Sequence, residues 1–180
     1  MVSAQTLTEA ERRTVAAWAA DCAEHVLALF EAAAPDDSRP RELIARARAF
    51  ARGELSAAEG IRRRFVGGVP AGAVQDPAAV AAARAAGQAA AVAHMGAHAL
   101  GAAAYAVKAA GLAAPEAPEV MAEEIGWQLG HLTRGVTHAL RRLPPVGQDA
   151  SGPLGPGLLS SGLMGQIVRD LQEGLSTGRK

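Results

Sequence analysis

The run from Asp76 to Ala110 constrains this chain most. Alanine dominates it, Gly87, Gly96 and Gly101 are spaced through it, and no acidic residue follows Asp76 within it. Alanine fixes no side-chain rotamer and buries no polar group, so it is the strongest helix former. Asp76 followed by Pro77 is a helix start: the carboxylate accepts from the unpaired first-turn N–H groups, and the fixed φ of proline suits the first helical position. The pattern predicts one long helix to about Ala110, with Gly96 as its weak point. Its second half invites comparison with a membrane span, but it carries His94, His98, Tyr105 and Lys108 and owes its apolar character to alanine. It reads as a helix buried inside a soluble fold.

The rest of the chain is punctuated for helices as well. Thr8 with Glu11 forms a capping box for a first helix reaching about Ala34, before Pro35. Val15, Trp18, Cys22, His25 and Leu29 share one stripe of it, the face expected to be buried. The loop at 35–40 leads to a second helix ending near Gly53. Ser56 with Glu59 repeats the capping box for a third, short helix that Gly67, Gly68 and Pro70 terminate. A further helix is expected from about Glu119 to Arg142, with Ile125, Leu129, Leu132, Val136, Leu140 and Leu143 inward, and Pro144 and Pro145 stop it. Glycine and proline make 147–157 a loop laid over the surface, and 162–175 closes the fold as a last short helix.

Alternating runs of strand formers are absent. The expectation is therefore an all-α, single-domain compact bundle of about five to seven helices around a central Ala/Gly-rich helix. One domain spans 1–180, with its core at 7–143, a Gly/Pro loop at 144–160 and a C-terminal helix at 161–175. A chain of 180 residues buries roughly 70% of its unfolded surface, enough for one core. Lys plus Arg and Asp plus Glu balance at 18 each, so net charge favours neither nucleic acid nor an acidic membrane. The single cysteine, Cys22, fits a reducing compartment, and the N-terminal residues lack the basic start and apolar core of a signal peptide. The expected location is the cytoplasm.

At about 100° per residue, Gly87, His94, His98, Gly101 and Tyr105 fall on one stripe of the 76–110 helix. Imidazoles and a phenol among small apolar neighbours need partners within the protein or in a pocket. His94 and His98 offer two nitrogen ligands to a metal, or a general acid/base pair. Met95 stands where a metal hydrolase helix would place glutamate, so satisfied core histidines are the competing reading, and no cofactor is expected. On the 119–142 helix, Trp127, His131, Arg134 and His138 form a second stripe opposite the leucines, with the composition of an interface anchor or a solvated face. Asp37 and Arg39 sit in the proline-bounded loop, where they can cap the next helix and pair with each other. Cys22 and His25 read as core residues, and Arg62, Arg63 and Arg64 as a solvated helix end. No phosphate loop, serine elbow or paired catalytic carboxylates meet their required context.

Four segments together carry a recognisable pattern: Ala-Asp-Cys-Ala-Glu-His-Val at 20–26, Asp-Ser-Arg-Pro-Arg at 37–41, Ala-Arg-Ala-Phe-Ala-Arg-Gly-Glu at 47–54, and the alanine-rich run with His94, His98 and Tyr105 at 84–109. The chain resembles the Imm-5-like immunity proteins of bacteria over roughly residues 7–143, with the histidine pair of that family falling on His94 and His98 and its tyrosine on Tyr105. It departs from the pattern between Leu55 and Asp76, where Arg-Arg-Arg-Phe-Val-Gly-Gly replaces a longer alanine-rich helix. The resemblance implies an all-α protein that neutralises a toxin by binding it and occluding its active site, without turnover. On that reading the contact residues are Trp127, His131, Arg134, His138, Asp37 and Arg39, and the partner is a protein, with a homo-oligomer also open. The alternative is a small-molecule site or an enzyme of a biosynthetic pathway built on His94, His98, Tyr105 and His131.

Overall fold

A computed structural model describes residues 3–63, 66–70 and 72–178. Arg64 and Phe65, part of the sequence pattern above, lie outside the described residues. Among those described there are nine α-helices, two single 3-10 turns and no strand. The helices are α1 (Glu9–His25), α2 (Leu27–Ala33), α3 (Arg39–Ala51), α4 (Ala57–Arg62), α5 (Pro77–Ala91), α6 (His98–Ala113), α7 (Glu119–Gly130), α8 (Arg134–Leu140) and α9 (Gly162–Thr177). The all-α class stands, with more helices than the five to seven expected, because three predicted helices are each broken once.

The expected starts are where the caps put them. Thr8 with Glu11 and Ser56 with Glu59 each form both bonds of a capping box. Asp76 accepts from the Ala79 N–H at 2.8 Å, with Pro77 at the first position of α5. Each such cap is worth about 1 kcal/mol.

The break at 92–97 has a tertiary cause. The helix expected to run from 76 to 110 ends at Ala91 and restarts at His98. In the turn between, Gly96 N–H donates to the Thr6 carbonyl and Ala97 N–H to the Gln5 carbonyl, so the N-terminal segment completes the turn's backbone bonding. A Cβ on Gly96 would stand 2.4 Å from a Leu7 methyl carbon, so the close approach needs glycine. The first helix breaks at Val26 (φ −109°, ψ 4°), which separates α1 from α2. The helix expected from 119 to 142 breaks at His131, and Thr133 caps α8 by accepting from Val136 N–H at 3.2 Å.

α5 and α6 form an antiparallel hairpin, as the pairings of Gln88 with His98 and of Arg84 with Tyr105 require. Their facing alanines, nine of them buried on α5 alone, let the backbones approach closely. α6 also packs against α1, α7 and α9, and α5 against α1, α2 and α3, so the hairpin is the centre of the molecule. Phe30 and Phe50 fill the space beside it, each essentially unexposed, and such burial is worth about 1.5–3 kcal/mol per side chain. The 144–157 segment is a loop, pinned by Gln5: its amide nitrogen donates to Asp149 Oδ2 and to the Ser151 carbonyl, both at 2.6 Å, and its Oε1 accepts from Leu154 N–H at 2.9 Å. No helix among the described residues is long and apolar enough to cross a membrane.

Candidate functional site

The hairpin break separates the residues of the predicted histidine stripe. His94 is exposed in the turn, and His98 opens α6. Their rings are tilted with centroids 6.3 Å apart. His98 Nδ1–H donates to Gln88 Oε1 at 2.8 Å across the hairpin. Burial, and then the neighbouring His94, hold the His98 pKa down at about 4. Among the described residues no group of three or more His, Cys, Asp or Glu side chains could hold a metal ion. Tyr105 is buried against a cleft on the far side of Gln88, whereas His131 is exposed and lines a different cleft. The geometry therefore does not gather His94, His98, Tyr105 and His131 into one pocket.

The stripe of the 119–142 helix divides too. Arg134 and His138 line a cleft with Leu129, Leu132, Arg141 and Leu175. Trp127 and His131 belong to another. Asp37 of the α2–α3 loop and Arg39, the first residue of α3, satisfy one another: Asp37 Oδ1 accepts from the Arg39 Nε at 2.8 Å and from the Arg39 backbone N–H at 3.1 Å. The Arg39 guanidinium holds the Asp37 carboxyl below the usual range.

What comes together instead is a surface cluster from α1, α3 and α7. The His25 imidazole stacks on the Trp127 indole, and the His131 ring tilts against the same indole with centroids 4.1 Å apart. His25, expected on the buried stripe of the first helix, is exposed, because α1 ends there and the chain turns at Val26. Its Nδ1–H donates to Glu124 Oε2 at 2.7 Å. Glu124 is only 5% exposed, and its other oxygen accepts from the Gln128 amide at 2.8 Å. Gln128, wholly buried, also donates its side-chain amide to the Ala103 carbonyl at 3.1 Å, and its backbone carbonyl accepts from the Trp18 indole N–H at 3.0 Å. A chain of hydrogen bonds thus runs from the central helix α6 to the surface imidazole and fixes its orientation.

The rim is charged. Arg48 of α3 bridges Asp21, at 2.8 Å, and Glu24 of α1. Asp21, Glu24, His25, Trp127 and His131 line a shallow cleft of about 280 Å³. His131 Nδ1–H donates to the Trp127 carbonyl at 2.7 Å, so its Nε2 is left as an acceptor. Behind the cluster lies Cys22, fully buried, its thiol pushed well up by desolvation and then by the Glu124 and Asp21 charges. That thiol is a core group rather than a nucleophile.

Helical spacing marked Trp127 and His131 as a pair on one face. It missed His25, Glu124 and Arg48 as their partners, since only the packing of α1 against the rest of the bundle brings position 25 to position 124.

This cluster lies within the part of the chain for which comparison with known families is informative. The model of the Imm-5 like putative immunity protein family matches residues 5–134. The chain belongs to that family. The matched span runs from the 3-10 turn before α1 through the end of α7, and so contains the α5–α6 hairpin, the histidine pair and the whole Trp127 cluster. No curated protein and no solved structure matches the chain.

Proposed function

We propose that this family member neutralises a bacterial toxin by binding it, and that the contact centres on Trp127 with His25 and His131. The observation that carries the proposal is a half-buried indole in ring contact with two imidazoles, one of them held by a buried carboxylate. A surface tryptophan costs apolar exposure, and burying it under a partner recovers that cost. Tryptophan is also the residue type most enriched where interface energy concentrates. The Glu124 to Gln128 chain holds His25 in place before any partner arrives, so little ordering entropy is lost on docking. Arg48, Asp21 and Glu24 supply a charged rim to the apolar centre, the usual anatomy of a protein interface.

Membership of an immunity protein family supports a protein as the class of partner. Arg134, His138, Asp37 and Arg39 belong to this proposal as flanking contacts, since each is exposed or part-exposed on an element next to α7 or α3. A free buried thiol at Cys22 fits a reducing compartment such as the cytoplasm.

Co-expression with any toxin whose gene lies beside its own tests the reading. The wild-type chain is expected to restore growth and to co-elute with the toxin, while Trp127→Ala loses both and stays folded. Failure of the wild-type chain to protect or to co-elute would sink the proposal.

A further inference from the structure

A second cleft, of about 480 Å³, opens on the other side of the hairpin and is not part of the Trp127 cluster. Its volume lies within the range of small-molecule sites. Leu43 of α3, Val74 of the α4–α5 loop, Val80 of α5 and Leu158 of the C-terminal segment give it apolar walls. Leu158 remains 59% exposed at its edge. The polar side chains on the lining are Arg84, Gln88 and Tyr105. No carboxylate lines it among the described residues.

Those three groups share a property. Arg84 makes no ion pair among the described residues, and its guanidinium carbon stands 5.8 Å from the Tyr105 ring centroid. Tyr105 is only 4% exposed, and its hydroxyl meets no hydrogen-bond partner among the described residues. Gln88 spends its oxygen on His98, which leaves its amide N–H groups as what it can offer. Each therefore has a donor to give, and one carries a full positive charge. Gly87 adds bare wall: a Cβ built there would meet nothing within 4 Å.

We propose that this cleft binds a small carboxylic acid with an apolar body, its carboxylate taken by Arg84 with the Tyr105 hydroxyl and the Gln88 amide, and its tail laid along Leu43, Val74, Val80 and Leu158. A guanidinium matches a carboxylate with two parallel bonds, which a neutral or cationic head group cannot accept. A nearly buried phenol without a partner gains one on binding.

Calorimetric titration of the full chain with sodium decanoate tests this, with decan-1-ol and decylammonium as tails of equal length. Saturable one-to-one binding of decanoate is expected, about tenfold or more tighter than either control. Arg84→Gln, on an exposed side chain, is expected to weaken it by about tenfold or more with unchanged circular dichroism. Gly87→Leu is expected to abolish it by filling the cleft. Absence of saturable decanoate binding, equal binding of the three tails, or wild-type affinity in Arg84→Gln overturns the proposal. Tighter binding of N-acetyl-dileucine amide, which has no carboxylate for Arg84, than of decanoate overturns it as well.

Discussion

The His25 imidazole lies parallel to the Trp127 indole, with ring centroids 3.7 Å apart and planes inclined by 6°. Stacking of this kind is worth about 0.5–1.5 kcal/mol beyond the area it covers. The two rings are held in register by Glu124, so that carboxylate is the residue to change first. Glu124→Gln keeps an acceptor for His25 and is expected to cost about 1 kcal/mol of stability, read by urea unfolding. Glu124→Ala strips both His25 and the Gln128 amide of a partner and should cost about 2–3 kcal/mol. Equal effects of the two variants would contradict the hydrogen-bond chain described above.

The Trp127 side chain should matter more for association than for folding. Trp127→Ala is expected to weaken toxin binding by about 2 kcal/mol or more, roughly thirtyfold in Kd, by surface plasmon resonance. Arg134→Ala, on a separate cleft at the rim, is expected to change affinity by less than about tenfold. An interface centred on Arg134 and His138 would give the reverse order.

His98 makes stability depend on pH in a definite window. Its pKa is about 4 in the folded chain against 6.5 for an ordinary histidine. The unfolded chain therefore binds a proton that the folded chain refuses, and stability rises with pH between those values. The contribution is fully present above about pH 6.5 and is lost as pH falls toward 4. The lost stability is on the order of 3 kcal/mol. Carboxylates such as Glu11 and Asp37, held below their ordinary range, act in the same direction but only at lower pH. His98→Gln should flatten the slope between pH 6.5 and 4.5 in denaturant titrations, whereas an unchanged slope would place its origin elsewhere.

Two helical glycines are expected to respond oppositely to alanine. At Gly126, in the exposed middle of α7, a Cβ would meet nothing within 4 Å. Gly126→Ala should gain about 0.5–1 kcal/mol from backbone entropy alone. At Gly165 of α9 the Cβ would stand 2.6 Å from the Ser160 backbone carbonyl, a group that cannot swing aside. Gly165→Ala should lose about 1–3 kcal/mol. Thermal unfolding midpoints of the two variants decide the matter.

How far the sequence could be read depends on the range of the cause. Thr8, Ser56 and Asp76 announce helix starts because a cap needs only residues three apart, and those starts are where they were expected. Val26 and His131 break helices with no proline to mark them, whereas the 92–97 break falls where Gly96 had marked the weak point. The turn at 92–97 is completed by carbonyls of Gln5 and Thr6, which no pattern within 76–110 reveals. The candidate site divides in the same way. Trp127 and His131 were legible at helical spacing, whereas the partnership of His25 with Glu124 joins residues 99 positions apart in the chain and was not.

Cys22 supplies a prediction without any ligand. Its thiol is buried and its pKa raised, so 5,5′-dithiobis(2-nitrobenzoate) should leave the native protein unmodified at pH 8 over hours and react within seconds in denaturant. Because the folded pKa lies above the ordinary value, the stability this thiol contributes is present below about pH 9 and lost above it. Rapid native labelling would mean that the α1 face opens far more often than its packing allows.

The last helix, α9, lies beyond the span that matches the family, yet it buries Ile167, Val168 and Leu171 and packs on α6 and α7. A fragment trimmed to residues 5–134 would therefore leave one flank of the central hairpin uncovered and strip Gln5 of the loop that encloses it. Such a truncation at the family boundaries is a recipe for aggregation rather than for a smaller stable domain.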